Sequence, residues 1–194
     1  PHRHLHDVLD IIERSRFSPF VKERGAAAFR RLAEAEGSVH GVSPDEIHFH
    51  EVGADDAIAD IVGACTAFHL LGAEGVRVRP VTTGHGTATG SHGTFPIPAP
   101  ATALILKDAG LASAPGDHAG ELCTPTGAAL LAEFATRAVP EPAAYTILAA
   151  GYGAGTRDPH HAPNVLRVMF AESADTVNGL TGDTVDILET NVDD

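Results

Sequence analysis

The chain has 194 residues, 43% of them hydrophobic, with 26 acidic against 13 basic residues and a formal charge of −13. That length holds one domain, or one and a fraction, and the apolar content is enough for a proper core without any signature of disorder. The acidity, with no Lys/Arg cluster beyond Arg30-Arg31, argues against nucleic acid as a main partner, and no apolar run is long enough to predict a membrane span.

Residues 5–15 carry Leu5, Val8, Leu9, Ile11 and Ile12 at helical spacing. Ser18-Pro19 reads as a cap with Pro at the first helical position, and the spacing predicts a helix over 19–36 with Val21, Ala28, Phe29, Leu32 and Ala33 inward. Ser43-Pro44 predicts one further turn. Residues 47–52 read as a strand and 55–71 as a helix, closed by Gly72. Val76 and Val78 alternate with Arg77 and Arg79, which predicts a strand over 76–82. Residues 84–97, rich in Gly, His and Thr, form a functional loop or a hairpin. Helices are predicted over 99–109, opening at Pro100, and over 126–137. Strands are predicted over 145–152, 165–171 and 185–189. The mixture argues for an α/β or α+β fold, a mixed sheet packed with helices in a single compact domain. Residues 173–182 are polar and Gly-containing and read as a linker.

The richest stretch chemically is 48–60. On a strand, His48 and His50 point to one face, with Glu51 next along it. On the helix that follows, Asp56 and Asp60 lie one turn apart on one face. Two imidazoles and several carboxylates can thus converge at a strand–helix junction. Imidazole suits nickel, zinc, copper and iron, and carboxylate suits harder ions. The plainer reading is a polar strand face followed by Asp55 and Asp56 offsetting the helix dipole. His85 and His92 sit in the Gly-rich loop, as further ligands or as exposed hairpin residues. His2, His4 and His6 alternate at the start, as an affinity for soft cations or as a frayed end.

Thr124, Thr126 and Gly127 open a helix whose free N–H groups suit an anion such as phosphate, and Glu121 precedes them. Plain capping by Thr124 or Thr126 is the simpler account. Residues 151–157 lack the spacing of a dinucleotide-binding loop, but the glycine-rich turn can present Arg157 to an anion. Cys65 and Cys123 are far apart and form no Cys-x-x-Cys pair, so a reducing cytoplasm is the expected compartment.

Six stretches, HFHEVGADDAIADIVGA (48–64), HGTFPIPAPATA (92–103), ELCTPTGAALLA (121–132), GYGAGTRD (151–158), PNVLR (163–167) and LETNVDD (188–194), together resemble the LarC family, the nickel insertion proteins of nickel-pincer cofactor biosynthesis. The resemblance implies insertion of nickel into a pyridinium mononucleotide carrying two thiocarboxylates. A nickel–carbon bond forms, which makes the protein a cyclometallase of the lyase class, and the product serves lactate racemase. The resemblance also implies hydrolysis of CTP to CMP and pyrophosphate, with Mg or Mn. On this view the chain is a piece lacking the family's first residues and its CTP-binding C-terminal domain. Residues 1–172 are then the metal and substrate domain, 173–182 the linker and 183–194 the start of the next domain. His48, His50, Glu51, Asp56, Asp60, His85 and His92 are the candidate nickel ligands. Thr124, Thr126, Gly127 and Arg157 are the candidate holders of the anionic mononucleotide, and a homo-oligomer is expected. From other classes, a metal-dependent hydrolase, a non-catalytic nickel carrier and a purely structural domain stay open.

Overall fold

The structure is a computed structural model, and it describes residues 3–49, 55–73, 75–90, 93–135, 144–155, 165–173 and 184–189. In chain order the elements are β1 (Arg3–His4), α1 (Leu5–Arg14), α2 (Pro19–His40), β2 (His48–Phe49), α3 (Asp55–Leu71), β3 (Gly75–Val78), β4 (Val81–Thr82), β5 (Gly84–His85), β6 (Thr87–Gly90), β7 (Gly93–Pro96), α4 (Pro100–Ala109), β8 (Ser113–Ala114), β9 (Gly120–Glu121), α5 (Pro125–Phe134), β10 (Tyr145–Ala154), β11 (Val165–Ser173) and β12 (Thr184–Glu189). This is a mixed α/β fold, as the sequence predicts. The chain divides into two compact units, Pro1–Gly72 with Thr83–Glu133, and Ala73–Thr82 with Phe134–Asp194.

In the first unit α2 is the central element, with α1, α3 and α4 packed on it. Ser18 accepts a hydrogen bond from the Val21 N–H at 3.4 Å, and Pro19 occupies the first turn where its missing N–H costs nothing. The helix runs past the expected end at 36 and stops only where Gly41 turns left-handed at φ 70°, with the Val42 N–H donating back to the Gly37 carbonyl. Val21, Ala28, Phe29, Leu32 and Ala33, the expected inward set, are all buried. They meet Val8 and Ile12 of α1, Ile61 and Val62 of α3, and Ile105 and Leu106 of α4 in a shared core.

Phe29 is 0% exposed and lies edge-on to Phe49 of β2, ring centroids 6.1 Å apart. Phe29→Ala is expected to cost about 3–5 kcal/mol, read by urea unfolding. Because Phe49 neighbours His48, the cavity also loosens the strand that presents that imidazole. Glu133 of α5 is tied to α2 by Arg24 at 2.8 Å and Arg31 at 3.3 Å, with its side chain only 7% exposed. Two partners with hydrogen-bonding geometry make this buried carboxylate tolerable.

The expected strand over 76–82 is split into β3 and β4, since Pro80 has no N–H for a ladder. The expected loop or hairpin over 84–97 contains the antiparallel pair β6–β7, from Thr87↔Pro96 to Gly90↔Gly93. The second unit holds a sheet of order β10-β11-β12-β3. Its first three strands are antiparallel, and β12 runs parallel to β3 with Val185 opposite Gly75. Val76, Met169 and Ala171 are buried there. Most of the expected linker, 174–182, lies outside the described residues. Among the described residues no helix is long and apolar enough to cross a membrane.

Candidate metal centre and anion site

Strands β1 and β2 pair antiparallel, with Arg3 opposite Phe49 and His4 opposite His48. Directly opposed residues share a face, and the His4 and His48 rings lie 3.8 Å apart between centroids at an interplanar angle of 48°. His6, in the first turn of α1, stacks on His4 at 5.5 Å. The His4 Nδ1 is 3.1 Å from the Ile47 carbonyl oxygen. A carbonyl only accepts, so Nδ1 is assigned as the donor, and the neutral ring keeps its lone pair on Nε2. The His4 backbone N–H donates to Asp7 at 2.9 Å, which seats the start of α1 against this strand.

Arg3 pairs with Asp55 at 2.6 Å and so links β1 to the first turn of α3. The Asp55 side chain is 86% exposed, and so open a pair contributes little stability. It does place the His4–His48 strands beside the acidic helix start. Asp56 accepts from the Ala57 N–H at 3.0 Å, the helix-start role that the plainer reading gives it. Asp60 stands exposed one turn further. His50, Glu51, His92 and Arg157 lie outside the described residues. Among the described residues no group of three or more His, Cys, Asp or Glu is placed to hold a metal ion.

The second cluster of expected residues is built on β5 and β9. Gly84 is opposite Glu121 and His85 opposite Gly120. The His85 N–H donates to the His118 carbonyl at 3.2 Å, and the Leu122 N–H to the Thr83 carbonyl at 3.1 Å. Gly84 has φ +80°, and a Cβ there would stand 1.8 Å from the Gly120 carbonyl oxygen, so only glycine permits this approach. The ladder leads into α5. The Thr124 carbonyl accepts from the Ala128 N–H at 2.9 Å and its hydroxyl from the Gly127 N–H at 3.1 Å. Thr124 therefore caps α5, and Gly127 already has a partner for its donor. An anion at this helix start would meet the donors that remain in the first turn. His85 is thus grouped with His118, Glu121 and the start of α5, and His48 with His4 and Asp55. His4, which is not in the expected ligand set, is the residue that pairs with His48. Its signal in the sequence was the His-x-His alternation at 2–6.

Both cysteines are free and buried. Burial, aided by the Glu133 carboxylate, pushes the Cys65 thiol from 9.0 up to about 11. Burial, aided by Glu121, pushes Cys123 up to about 12. Neither is a ready thiolate ligand or nucleophile. The unfolded chain loses these protons near 9.0 while the folded chain still holds them. Stability present below pH 9.0 is therefore expected to fall as pH rises toward 11 and 12. Urea midpoints measured over that window should drop less in a Cys65→Ala/Cys123→Ala variant.

The whole chain, residues 1–194, matches the family model described as "Nickel insertion protein". A protein of Nocardioides sp. named "Pyridinium-3,5-bisthiocarboxylic acid mononucleotide nickel insertion protein" is 45% identical over 193 residues, covering 100% of this chain and 47% of its own length. Two proteins named "Putative nickel insertion protein" are similarly close. That of Geotalea daltonii is 45% identical over 194 residues, covering 100% of this chain and 48% of its own length. That of Methanococcoides burtonii is 44% identical over 193 residues, covering 99% of this chain and 47% of its own length. The chain thus spans about half the length of these relatives. No solved structure matches it. With a family model matched from its first residue to its last, the chain belongs to the nickel insertion protein family.

Proposed function

We propose that the protein containing this chain inserts nickel into pyridinium-3,5-bisthiocarboxylic acid mononucleotide, and that this chain receives the metal and presents it to that substrate. The observation that carries the reading is the match of residues 1–194 to the nickel insertion family, with a relative whose name specifies this mononucleotide. Nickel here is a substrate. The two sulfur groups at positions 3 and 5 flank one ring carbon, so nickel held between them replaces the proton on that carbon and forms a nickel–carbon bond. This is the cyclometallase, lyase-type step.

His48, His50, Glu51, Asp56, Asp60, His85 and His92 are the proposed set from which the nickel ligands come. Mixed imidazole and carboxylate donors bind nickel without locking it in, which suits a metal that must be passed on. The start of α5 at Thr124, Thr126 and Gly127 is proposed to contact the phosphate of the mononucleotide through the donors that the Thr124 cap leaves, such as the Thr126 N–H and hydroxyl, and Arg157 is proposed separately as a guanidinium for an anionic group. CTP with its Mg or Mn is proposed to act in the same protein. The relatives are about twice as long as this chain, and CTP is proposed to bind mainly in their C-terminal part, outside these 194 residues. The protein is proposed to work as a homo-oligomer in the cytoplasm. The test is reconstitution with nickel chloride, the bisthiocarboxylate mononucleotide, CTP and magnesium. Mass spectrometry should detect the nickel adduct with one proton lost. Unchanged mononucleotide under these conditions contradicts the reading.

A further inference from the structure

We infer that His4 is a nickel ligand, forming with His48 a two-imidazole landing site across β1 and β2. The inference rests on the nickel reading above, and it extends that reading to a residue outside the motif run 48–60. Three observations carry it. The two residues are direct cross-strand partners, so their side chains leave the ribbon on the same face. Their rings are in contact, with centroids 3.8 Å apart, and a modest turn about the side-chain bonds that brings the two free nitrogens within about 4 Å of each other lets both reach one ion held about 2 Å from each. The Ile47 carbonyl accepts the His4 Nδ1 proton, which leaves the Nε2 lone pair for metal. A backbone carbonyl fixing the tautomer through the second ring nitrogen is the usual support of a metal-binding histidine.

A plain cross-strand stack accounts for the ring contact, but it needs no particular tautomer and no hydrogen bond to Ile47. The site is also open. Among the described residues no third His, Cys, Asp or Glu joins the pair in a closed set. Water and then the sulfurs of the mononucleotide can fill the remaining positions, and an ion held by two imidazoles leaves more readily than one held by four protein donors.

Two substitutions test the role of His4. His4→Asn keeps an N–H donor for the Ile47 carbonyl and removes the ligating nitrogen. His4→Phe keeps a flat ring against His48. Nickel chloride alone is titrated into the wild-type protein and each variant by calorimetry, with circular dichroism as the check on folding. Nickel-edge X-ray absorption on the loaded samples counts imidazoles. The expected result is nickel affinity at least tenfold weaker in the folded variants, with one imidazole fewer at the metal. A folded variant whose affinity falls by less than tenfold, or whose imidazole count is unchanged, overturns the role of His4 and leaves the nickel reading standing. A wild-type protein that takes up no nickel overturns both.

Discussion

A His48→Ala/His50→Ala variant is expected to lose nickel insertion altogether while keeping its fold. Imidazole is the donor in this stretch best matched to nickel, and removing both leaves His4 without its cross-strand partner and only carboxylates, which prefer harder ions, between 48 and 60. The His48 side chain is exposed, so its loss falls in the range of surface substitutions, within about 0.5 kcal/mol of wild type. The backbone of β2, anchored by buried Phe49 against Phe29, stays paired to β1. Insertion is read by mass spectrometry of the mononucleotide, and folding by thermal melting. Loss of product with an unchanged melting curve assigns these side chains to metal handling. Normal insertion removes them from it.

The second large effect is structural and lies at the other cluster. Gly84→Ala is expected to destabilise the chain by about 3 kcal/mol or more, because a side chain is strained at φ +80° and its Cβ would overlap the Gly120 carbonyl oxygen at 1.8 Å. The overlap is with backbone, so it is relieved only by prying β5 from β9. That movement displaces His85 and Glu121 and the lead into α5. Gly86 supplies the control. It has φ +95° but nothing within 4 Å of its Cβ position, so Gly86→Ala carries the conformational cost of about 1 kcal/mol without the clash. Urea unfolding of both variants separates the two contributions. Equal destabilisation by Gly84→Ala and Gly86→Ala would mean that the ladder yields and the close approach is not a constraint.

The helices were legible because their signals are local. Ser18-Pro19 opens α2 where capping chemistry says it should, and the five residues expected to face inward are buried. The predicted bounds of the helix at 55–71 match α3. What the sequence concealed is contact between distant segments. Strand β1 is two residues long, too short for periodicity to register, and its partner lies more than forty positions away. His4 therefore read equally as cation-binding or as a frayed end, until the pairing set its ring against His48. Glu133 gave no signal either, since its partners Arg24 and Arg31 belong to a helix near the other end of the unit. At Thr124 the ambiguity was chemical. The same hydroxyl before a helix serves a cap or an anion site, and the Gly127 N–H bond shows that the cap is made. For Cys123 the residue type fixed nothing, because reactivity depends on burial that only the fold supplies.

The measurement that tests the central claim most directly is calorimetric titration of nickel into the protein, with and without the bisthiocarboxylate mononucleotide. A site that receives nickel and presents it to this substrate predicts nickel binding that strengthens about tenfold or more when the mononucleotide is present, and, by reciprocity, mononucleotide binding that strengthens with nickel. Nickel binding indifferent to the mononucleotide, or no binding of either, would contradict it.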